Sequence, residues 1–193
     1  MEINVTRIGI VGGTGYTGVE LLRLLAVHNN CRVDCITSRT EVGNPVATVF
    51  PWLSSYSNLR FEEPSVERLA DCDLVFYATP NKTAMHEASF LLDRGTRVID
   101  LAADFRFSDL AIWEGIYNGP HGSPELVSEA VYGLPEKNRC AIKNARLVGN
   151  PGCYPTATLL GLLPLVELNV IDDCSIIVDG KSGASGAGRE MRS

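Results

Sequence analysis

Apolar and polar residues alternate along the first hundred positions in two distinct patterns. Short, almost wholly apolar runs predict β-strands at residues 6–11, 32–37, 74–78 and 97–101. Between them, apolar side chains recur at helical spacing over residues 19–27 and 82–94, and a short helical turn is predicted at 66–70. Apolar strands that alternate with helices indicate a doubly wound parallel sheet with both faces covered. The predicted fold class is therefore α/β.

The pattern changes after the fourth predicted strand. Residues 105–144 are richer in aromatic and turn residues and show little periodicity. A further strand is predicted at 145–148, a helix over the apolar run 157–165, and a last strand at 175–179. A glycine-rich stretch follows that last strand, and no further element is completed after it.

The first predicted strand leads into a turn rich in glycine. Its residues, all candidates for cofactor binding, are Gly12, Gly13, Thr14, Gly15, Tyr16, Thr17 and Gly18. The last six fit G-x-G-x-x-G between a strand and a helix, as a dinucleotide-binding fingerprint requires. The simpler alternative is a turn that only packs a helix on a strand.

We predict a Rossmann-type doubly wound parallel sheet that binds a dinucleotide and comprises residues 1–148. Residues 149–193 are then expected to begin an α+β substrate or catalytic domain that the chain leaves incomplete.

The end of the second predicted strand indicates which dinucleotide is bound. An NAD site usually places an acidic residue there, against the ribose 2′-hydroxyl. This chain has Ser38 and Arg39 instead, and an arginine can pair with a 2′-phosphate through its planar fork of donors. We therefore expect NADP rather than NAD. Asp34 lies earlier in the strand, and as an acidic residue it would favour NAD instead.

Cys153 follows a bend that contains two glycines and a proline, and a long apolar run begins directly behind it. Pro155 suits the first turn of a helix, so Cys153 is expected just before a helix N terminus. Unpaired N–H donors and the helix dipole at that end favour thiolate over thiol. Cys153 is therefore the candidate catalytic nucleophile. The alternative is a small buried core residue, but a core cysteine needs no such bend.

Composition excludes several classes of function. The chain has 193 residues, 45% of them hydrophobic and 21% charged, with a net charge of −6. These values describe a soluble globular protein and argue against a nucleic-acid surface. No apolar run approaches the roughly 20 residues that cross a bilayer. The start of the chain has no signal or transit pattern, so we expect a cytoplasmic location.

Metal binding is not expected. The six cysteines show no C-x-x-C spacing, and the three histidines are scattered along the chain. Each histidine is expected to be a surface or loop residue rather than a ligand.

Taken together, these residues resemble the family of N-acetyl-γ-glutamyl-phosphate reductases, which is related to aspartate-semialdehyde dehydrogenase. The matching stretches are GGTGYTG at 12–18, SR at 38–39, ATPN at 78–81, DLAADFR at 100–106, YGLPE at 132–136, GNPGCYPT at 149–156 and VDGKSGASGAGR at 178–189. GNPGCYPT and SGASGAGR are specific, whereas the glycine turn alone is not.

The resemblance implies an NADPH-dependent oxidoreductase of arginine biosynthesis. The Cys153 thiolate would attack the acyl phosphate of N-acetyl-L-glutamyl 5-phosphate, release phosphate and leave a thioester. Hydride from NADPH would then give N-acetyl-L-glutamate 5-semialdehyde. The substrate is thus a small acyl phosphate, and the full-length family forms homo-oligomers.

Other positions acquire roles from the resemblance and from their place in the predicted fold. Asn150 and the backbone N–H groups after Cys153, at the helix start, are candidate oxyanion donors. Arg106 is the candidate for gripping a carboxylate or phosphate of the substrate, unless it is a surface arginine paired to Asp104 or Asp109. Thr79 and Pro80 end a strand, where open α/β sheets bind ligands. Additional phosphate or nicotinamide contacts are expected from Ser182, Gly183 and Gly186, unless that stretch is a flexible linker.

One departure from the family is serious. The family's mechanism uses a histidine beyond the cysteine as general acid and base, but the last histidine here is His121. We therefore expect the 193-residue chain to be C-terminally truncated relative to the family and to show little or no turnover alone.

Three alternatives remain open from the sequence. Sugar epimerases and short-chain reductases also open with GGTG-x-x-G, but none of the six tyrosines here has a lysine four residues later. An aspartate-semialdehyde dehydrogenase would use the same chemistry on a different acyl phosphate. The chain could also be an inactive nucleotide-binding fragment or a subunit that pairs with a second half.

Overall fold

The computed structural model describes residues 5–187, which form one twisted parallel sheet with helices on both faces. The seven strands lie in the order β3-β2-β1-β4-β5-β7-β6, and every pairing between them is parallel. Their bounds are β1 Thr6–Val11, β2 Cys31–Thr37, β3 Phe61–Glu62, β4 Leu74–Tyr77, β5 Arg97–Asp100, β6 Val131–Tyr132 and β7 Leu147–Gly149. The predicted doubly wound parallel sheet is confirmed.

Seven α-helices connect or follow the strands within residues 5–187. They are α1 Tyr16–Leu25, α2 Val46–Val49, α3 Val66–Leu69, α4 Ala84–Asp93, α5 Leu110–Tyr117, α6 Pro135–Asn144 and α7 Cys153–Glu167. Several begin at residues suited to a helix start. The Asp109 carboxylate accepts from the first N–H groups of α5, and Pro135 opens α6, where its missing N–H costs nothing. Gly95 follows α4 with φ of +83°, as a C-terminal glycine does.

The core lies on both faces of the sheet, and β4 shows why its sequence is apolar throughout. Val75 and Tyr77 belong to one buried cluster, whereas Leu74 and Phe76 pack against another. Successive side chains of a strand point to opposite faces, so a strand covered on both sides needs apolar residues at every position. The continuous apolar runs of the sequence therefore identified the central strands.

Two sequence predictions differ from the structure near the end of the chain. Residues 175–179 were predicted as a strand, but residues 173–175 form a 3-10 turn and the following segment pairs with no strand in the described part of the chain. Ile177 is 92% exposed. A strand is stable only when a neighbour satisfies its backbone groups, and no partner strand lies beside these residues.

The second difference concerns Cys153, which is the first residue of α7 rather than the residue before the helix. Gly152 is the N-cap, with extended backbone angles of φ −67° and ψ 163°. Pro155 lies in the first helical turn, as predicted. Within residues 5–187, no helix combines the length and the apolar character that crossing a bilayer requires.

Candidate active site

The loops that carry the predicted site residues meet at one edge of the sheet. Because the strands are parallel, their carboxyl ends all face the same side, which is where open α/β sheets bind ligands. Five of the loops at this edge carry predicted site residues, at residues 12–15, 38–41, 78–83, 101–106 and 150–152. The structure thus brings the glycine turn, the Ser38–Arg39 pair and the cysteine bend to a common edge.

The glycine turn is tightly packed at Gly12 and Gly18 and open at Gly15. Gly12 has φ of +83°, and an added Cβ would lie 2.4 Å from the Ala78 carbonyl oxygen. A Cβ on Gly18 would lie 2.7 Å from the Gly12 oxygen, so Gly18 lets α1 pack closely against the turn. Gly15 is the N-cap of α1, and its position is open, since a Cβ there would meet only the Gly12 oxygen at 3.8 Å. An uncapped helix N terminus with open space before it fits a phosphate.

Ser38 and Arg39 form the tip of the loop after β2. The Ser38 Oγ accepts from the N–H groups of Thr40 and Glu41, both at 3.2 Å, so Ser38 shapes the turn. Arg39 is exposed at this tip. Asp34 lies inside β2 and is engaged by Arg68, whose Nη2 donates to the Asp34 carboxylate at 3.4 Å. Asp34, the acid in β2 that would favour NAD, is therefore already paired with a side chain of the protein.

Thr79 and Pro80 follow β4 at the same edge. The Thr79 Oγ1 is buried and has no hydrogen-bond partner within the described residues. Thr79 also lies against the glycine turn, since its Cγ2 is 3.2 Å from the position of a Cβ on Gly12. A buried hydroxyl without a partner costs free energy, and a ligand atom at this edge would satisfy it.

Cys153 lies at the exposed N terminus of α7. Its side chain is accessible, and α7 has no side-chain cap. The bond from the Thr156 N–H to the Gly152 oxygen, at 2.9 Å, is the first bond of the helix, and Pro155 has no N–H. The N–H groups of Cys153 and Tyr154 therefore precede the intrahelical bonds, beside the sulfur. Because Pro155 has no N–H and the Thr156 N–H is already bonded, the Tyr154 N–H is the backbone group after Cys153 that is left as a candidate oxyanion donor in the first turn.

Of the remaining five cysteines, two are buried, two are exposed, and Cys31 is half-buried, with a thiol pKa that burial raises. Burial raises the pKa of the Cys35 thiol to about 12 and that of the Cys72 thiol to about 11, which makes both unreactive at neutral pH. Cys140 and Cys174 are exposed like Cys153. Neither of them lies at the first residue of a long helix.

Asn150 and Arg106 lie at the bend before Cys153. The Asn150 side chain donates to the Pro151 carbonyl at 3.0 Å. Arg106 donates from Nε to the Asn150 carbonyl at 2.7 Å and from Nη2 to the Leu101 carbonyl at 3.0 Å. Arg106 therefore bonds to backbone carbonyls, not to the neighbouring carboxylates of Asp104 or Asp109.

The glycine-rich stretch near the end of the chain lies beside α7. A Cβ on Gly180 would lie 2.8 Å from the Tyr154 ring. Ser182 donates to the Gly183 carbonyl at 3.2 Å, and the Gly186 N–H donates to the same carbonyl at 3.0 Å. Ser182, Gly183 and Gly186 are exposed. Gly188 and Arg189 of the same motif lie outside the described residues.

All three histidines precede Cys153 in the sequence, and the last of them, His121, is buried in the core. His121 is 6% exposed and lies between Phe105 and Trp113. Its Nδ1 accepts from the Ser123 N–H at 3.0 Å, so its Nε2 carries the proton and donates to the Asp104 carbonyl at 2.8 Å. His121 thus lies in a loop, as expected, but its side chain is buried in the core rather than at the surface.

Sequence reasoning missed the role of Asp100. Its carboxylate is fully buried at the end of β5 and organises the loop that leads to Arg106. The available signal was an acidic residue directly after two apolar strand positions, Val98 and Ile99, where a charge needs a specific reason to be buried.

Comparison with known proteins agrees with this arrangement. Residues 7–145 match the family model of the semialdehyde dehydrogenase NAD binding domain. The chain belongs to the semialdehyde dehydrogenase family. Residues 153–193 match a second model, the semialdehyde dehydrogenase dimerisation domain. The first match contains β2 to β6 and all but the first residue of β1, and the second begins at Cys153.

Sequence relatives within the family carry a common name. N-acetyl-gamma-glutamyl-phosphate reductase of Nitrosospira multiformis is 58% identical over 95% of this chain, and the protein of that name from Pseudomonas aeruginosa strain UCBPP-PA14 is 59% identical over 95%. The match covers 54% of each relative, so the chain spans about half their length. The resemblance seen in the sequence is confirmed.

Solved structures of the family share the fold. Aspartate semialdehyde dehydrogenase with NADP from Candida albicans superposes with a TM-score of 0.60 at 16% identity, over 84% of this chain and 47% of that one. Aspartate semialdehyde dehydrogenase II from Vibrio cholerae gives a TM-score of 0.58 at 18% identity, again over 84% and 47%. At these identities the likeness concerns the fold of this semialdehyde dehydrogenase family member.

Proposed function

We propose that this chain carries the NADPH site and the nucleophile of an N-acetyl-γ-glutamyl-phosphate reductase. The reaction is the reduction of N-acetyl-L-glutamyl 5-phosphate to N-acetyl-L-glutamate 5-semialdehyde and phosphate, in arginine biosynthesis. The observation that carries the proposal is the exposed Cys153 at the N terminus of α7, on the same sheet edge as the glycine turn. The names of the relatives support the choice of substrate.

The position of Cys153 suits nucleophilic attack. A thiolate at a helix N terminus is stabilised by the dipole and by the unpaired N–H groups of the first turn. In the proposed first step, the sulfur attacks the acyl carbon, a C–S bond forms, and the C–O bond to phosphate breaks. Phosphate leaves, and the acyl group remains on Cys153 as a thioester.

NADPH, when bound, supplies the hydride that reduces this thioester. Gly15 and the N terminus of α1 would hold the pyrophosphate, since the space before them is open. Arg39 is proposed to pair with the 2′-phosphate, and Thr79 and Pro80 to line the crevice beside the glycine turn. Ser182, Gly183 and Gly186 are proposed as further contacts.

The developing oxyanion on the acyl oxygen needs hydrogen-bond donors. The N–H of Tyr154 and the side chain of Asn150 lie at the helix start and are proposed for this role. Arg106 commits two donor groups to backbone carbonyls and has further N–H groups on its Nη1 and Nη2 atoms. Those remaining donors are proposed to grip the substrate. After hydride delivery, breaking the C–S bond releases the aldehyde and restores the thiolate.

Further features follow from the proposal. The domain boundary is placed at residues 148 and 149, which is supported by the family models ending at 145 and beginning at 153. The match to a dimerisation domain supports a homo-oligomeric whole protein. A free thiolate nucleophile requires a reducing compartment, which supports the cytoplasm.

The proposal is tested by phosphate release in the absence of NADPH. The purified chain is mixed with N-acetyl-γ-glutamyl phosphate, and phosphate is followed until it stops. We expect about one phosphate per chain, because thioester formation halts without hydride. Cys153→Ser is expected to abolish this burst, whereas Cys140→Ser serves as the matched control and retains it.

The same experiment with aspartyl phosphate discriminates the substrate. A burst at least about tenfold slower than with the acetylglutamyl compound supports the proposal. A faster burst with aspartyl phosphate would assign the chain to aspartate-semialdehyde dehydrogenation instead. No burst with either compound would support an inactive nucleotide-binding fragment.

A further inference from the structure

Asp100 carries a buried carboxylate that the proposed reaction does not use. It is the last residue of β5 and is 0% exposed. Its Oδ1 accepts from the Ala102 N–H at 3.0 Å, and its Oδ2 accepts from the Asp104 N–H at 2.9 Å. A carboxylate is expensive to desolvate, so one that is kept in the core must organise the groups bonded to it. Here it folds the loop of residues 101–106 around itself.

That loop is packed directly against the bend that precedes Cys153. A Cβ on Gly149 would lie 1.9 Å from the Phe105 carbonyl oxygen, so only glycine allows this approach. The Asn150 N–H donates to the Asp100 carbonyl at 2.8 Å. Gly149 and Asn150, the first two residues of the bend, are therefore in contact with residues whose positions depend on Asp100.

Arg106 connects the end of the loop to the bend. Its Nε donates to the Asn150 carbonyl, three residues before Cys153, and its Nη2 donates to the Leu101 carbonyl. The guanidinium is a rigid plane, so two bonds from one group fix the distance between two backbone segments. A displacement of the loop is thus transmitted to the start of α7.

We propose that Asp100 and Arg106 together are positioning residues for Cys153. The buried carboxylate holds the loop, the guanidinium on that loop holds the Asn150 carbonyl, and the bend aims the first residue of α7. This inference rests on the proposed role of Cys153 as the nucleophile. It adds the residues that fix the sulfur in its place, neither of which needs to touch the substrate for this purpose.

The alternative is that Asp100 contributes only to overall stability. The two possibilities differ in what they do to one cysteine relative to another in the same molecule. A general loss of stability affects Cys140 and Cys174 as much as Cys153. A positioning role changes Cys153 alone.

The test measures the rate of iodoacetamide labelling at each cysteine of the folded chain by peptide mass spectrometry. The variants are Asp100→Asn, Arg106→Gln, the double variant, and the conservative Arg106→Lys. Asp73→Asn is the matched control, because Asp73 pairs with Arg7 at the amino ends of β4 and β1, opposite the loops of the candidate site. Circular dichroism establishes that each variant is folded.

We expect labelling of Cys153, relative to Cys140, to fall about tenfold in Asp100→Asn and in Arg106→Gln. The double variant should fall no further than Arg106→Gln, because both act through one contact. Arg106→Lys should recover part of the rate, and Asp73→Asn should leave the ratio unchanged. If Asp100→Asn does not fold, the two Arg106 variants carry the test, since Arg106 is only half-buried.

An unchanged ratio in folded Asp100→Asn or in Arg106→Gln would overturn the inference, and so would additive losses in the double variant. The failure of the proposed function looks different. In that case Cys153 of the unaltered chain would label no faster than Cys140 and Cys174.

Discussion

Arg39 is the residue on which the proposed cofactor preference depends. It is exposed at the tip of the loop after β2, and the Ser38 hydroxyl fixes the turn that presents it. Because Asp34 is already paired with Arg68, no unoccupied acid in β2 is left to favour a ribose hydroxyl. Residue-level geometry thus supports NADP over NAD.

Replacing Arg39 tests this preference. Arg39→Ala is expected to weaken NADPH binding about tenfold or more, because hydrogen bonds to a charged group contribute about 1.5–3 kcal/mol. NADH binding should change little, since it has no 2′-phosphate. Fluorescence titration with both nucleotides measures this. Arg32→Ala, on the same strand and paired with Asp34, is the control, and an equal loss for both nucleotides would contradict the assignment.

Asp100 also predicts a pH dependence of stability. Burial, with the nearby Asp104 charge, raises the pKa of Asp100 to about 7, against about 4 for an exposed aspartate. A raised pKa means that the folded state binds the extra proton. The stability that this proton contributes is present below pH 4 and is lost as pH rises towards 7.

The slope from Asp100 is at most about 1.4 kcal/mol per pH unit, the value for one proton. Urea unfolding between pH 4.5 and 7 is therefore expected to show a flatter pH profile for Asp100→Asn than for the unaltered chain. Asp73→Asn should retain the slope in this range, because the Arg7 contact lowers the pKa of Asp73 and its effect lies at more acidic pH. Identical profiles for the unaltered chain and Asp100→Asn would contradict this assignment.

At the scale of elements, the glycines of the turn before α1 meet two different requirements, which are close packing at Gly18 and open space at Gly15. Gly18 is needed for packing, because a Cβ would meet the backbone of Gly12 and Gly13 at 2.7 and 2.8 Å. Gly15 is not needed for packing, and its φ of −72° is accessible to any residue. Its openness is useful only if something approaches the turn.

Two alanine variants make this contrast measurable. Gly18→Ala is expected to cost about 2 kcal/mol of unfolding free energy through overpacking. Gly15→Ala should stay within about 1 kcal/mol of the unaltered chain, yet weaken NADPH binding at least about tenfold, since its Cβ occupies the pyrophosphate space. Denaturant unfolding and nucleotide titration measure the two effects. Full nucleotide affinity in Gly15→Ala would rule out this turn as the phosphate site.

The elements that the sequence predicted correctly are those whose pattern is local. β4 is apolar at each position because both faces of the sheet are covered, and the glycine turn lies between a strand and a helix. The predicted strand at 175–179 failed because a strand depends on a partner distant in sequence. The contact between Arg106 and Asn150 was missed for the same reason, since it joins residues 44 positions apart.

At the scale of the whole molecule, core clusters cover both faces of the described sheet, whereas the apolar residues of α7 are not buried. None of its residues is buried, although most are apolar, and Leu160, Leu165 and Leu168 are 41%, 39% and 70% exposed. The chain spans about half the length of its relatives.

This asymmetry predicts acylation without efficient turnover. No histidine follows Cys153 in the 193 residues, and general acid–base catalysis contributes about 10²–10⁴-fold. Steady-state NADPH oxidation by this chain is expected below about 0.1 s⁻¹, against about 10 s⁻¹ for a typical enzyme. Added imidazole should raise the rate, and Cys153→Ser should not respond. A rate near that of typical enzymes would contradict the prediction.

The most direct measurement is the location of the acyl group after a single encounter with substrate. The chain is incubated with N-acetyl-γ-glutamyl phosphate without NADPH, quenched in acid, and mapped by mass spectrometry at all six cysteines. The account predicts an acetylglutamyl thioester on Cys153 in most molecules and on no other cysteine. An acyl group spread equally over Cys140, Cys153 and Cys174, or absent from all of them, would contradict it.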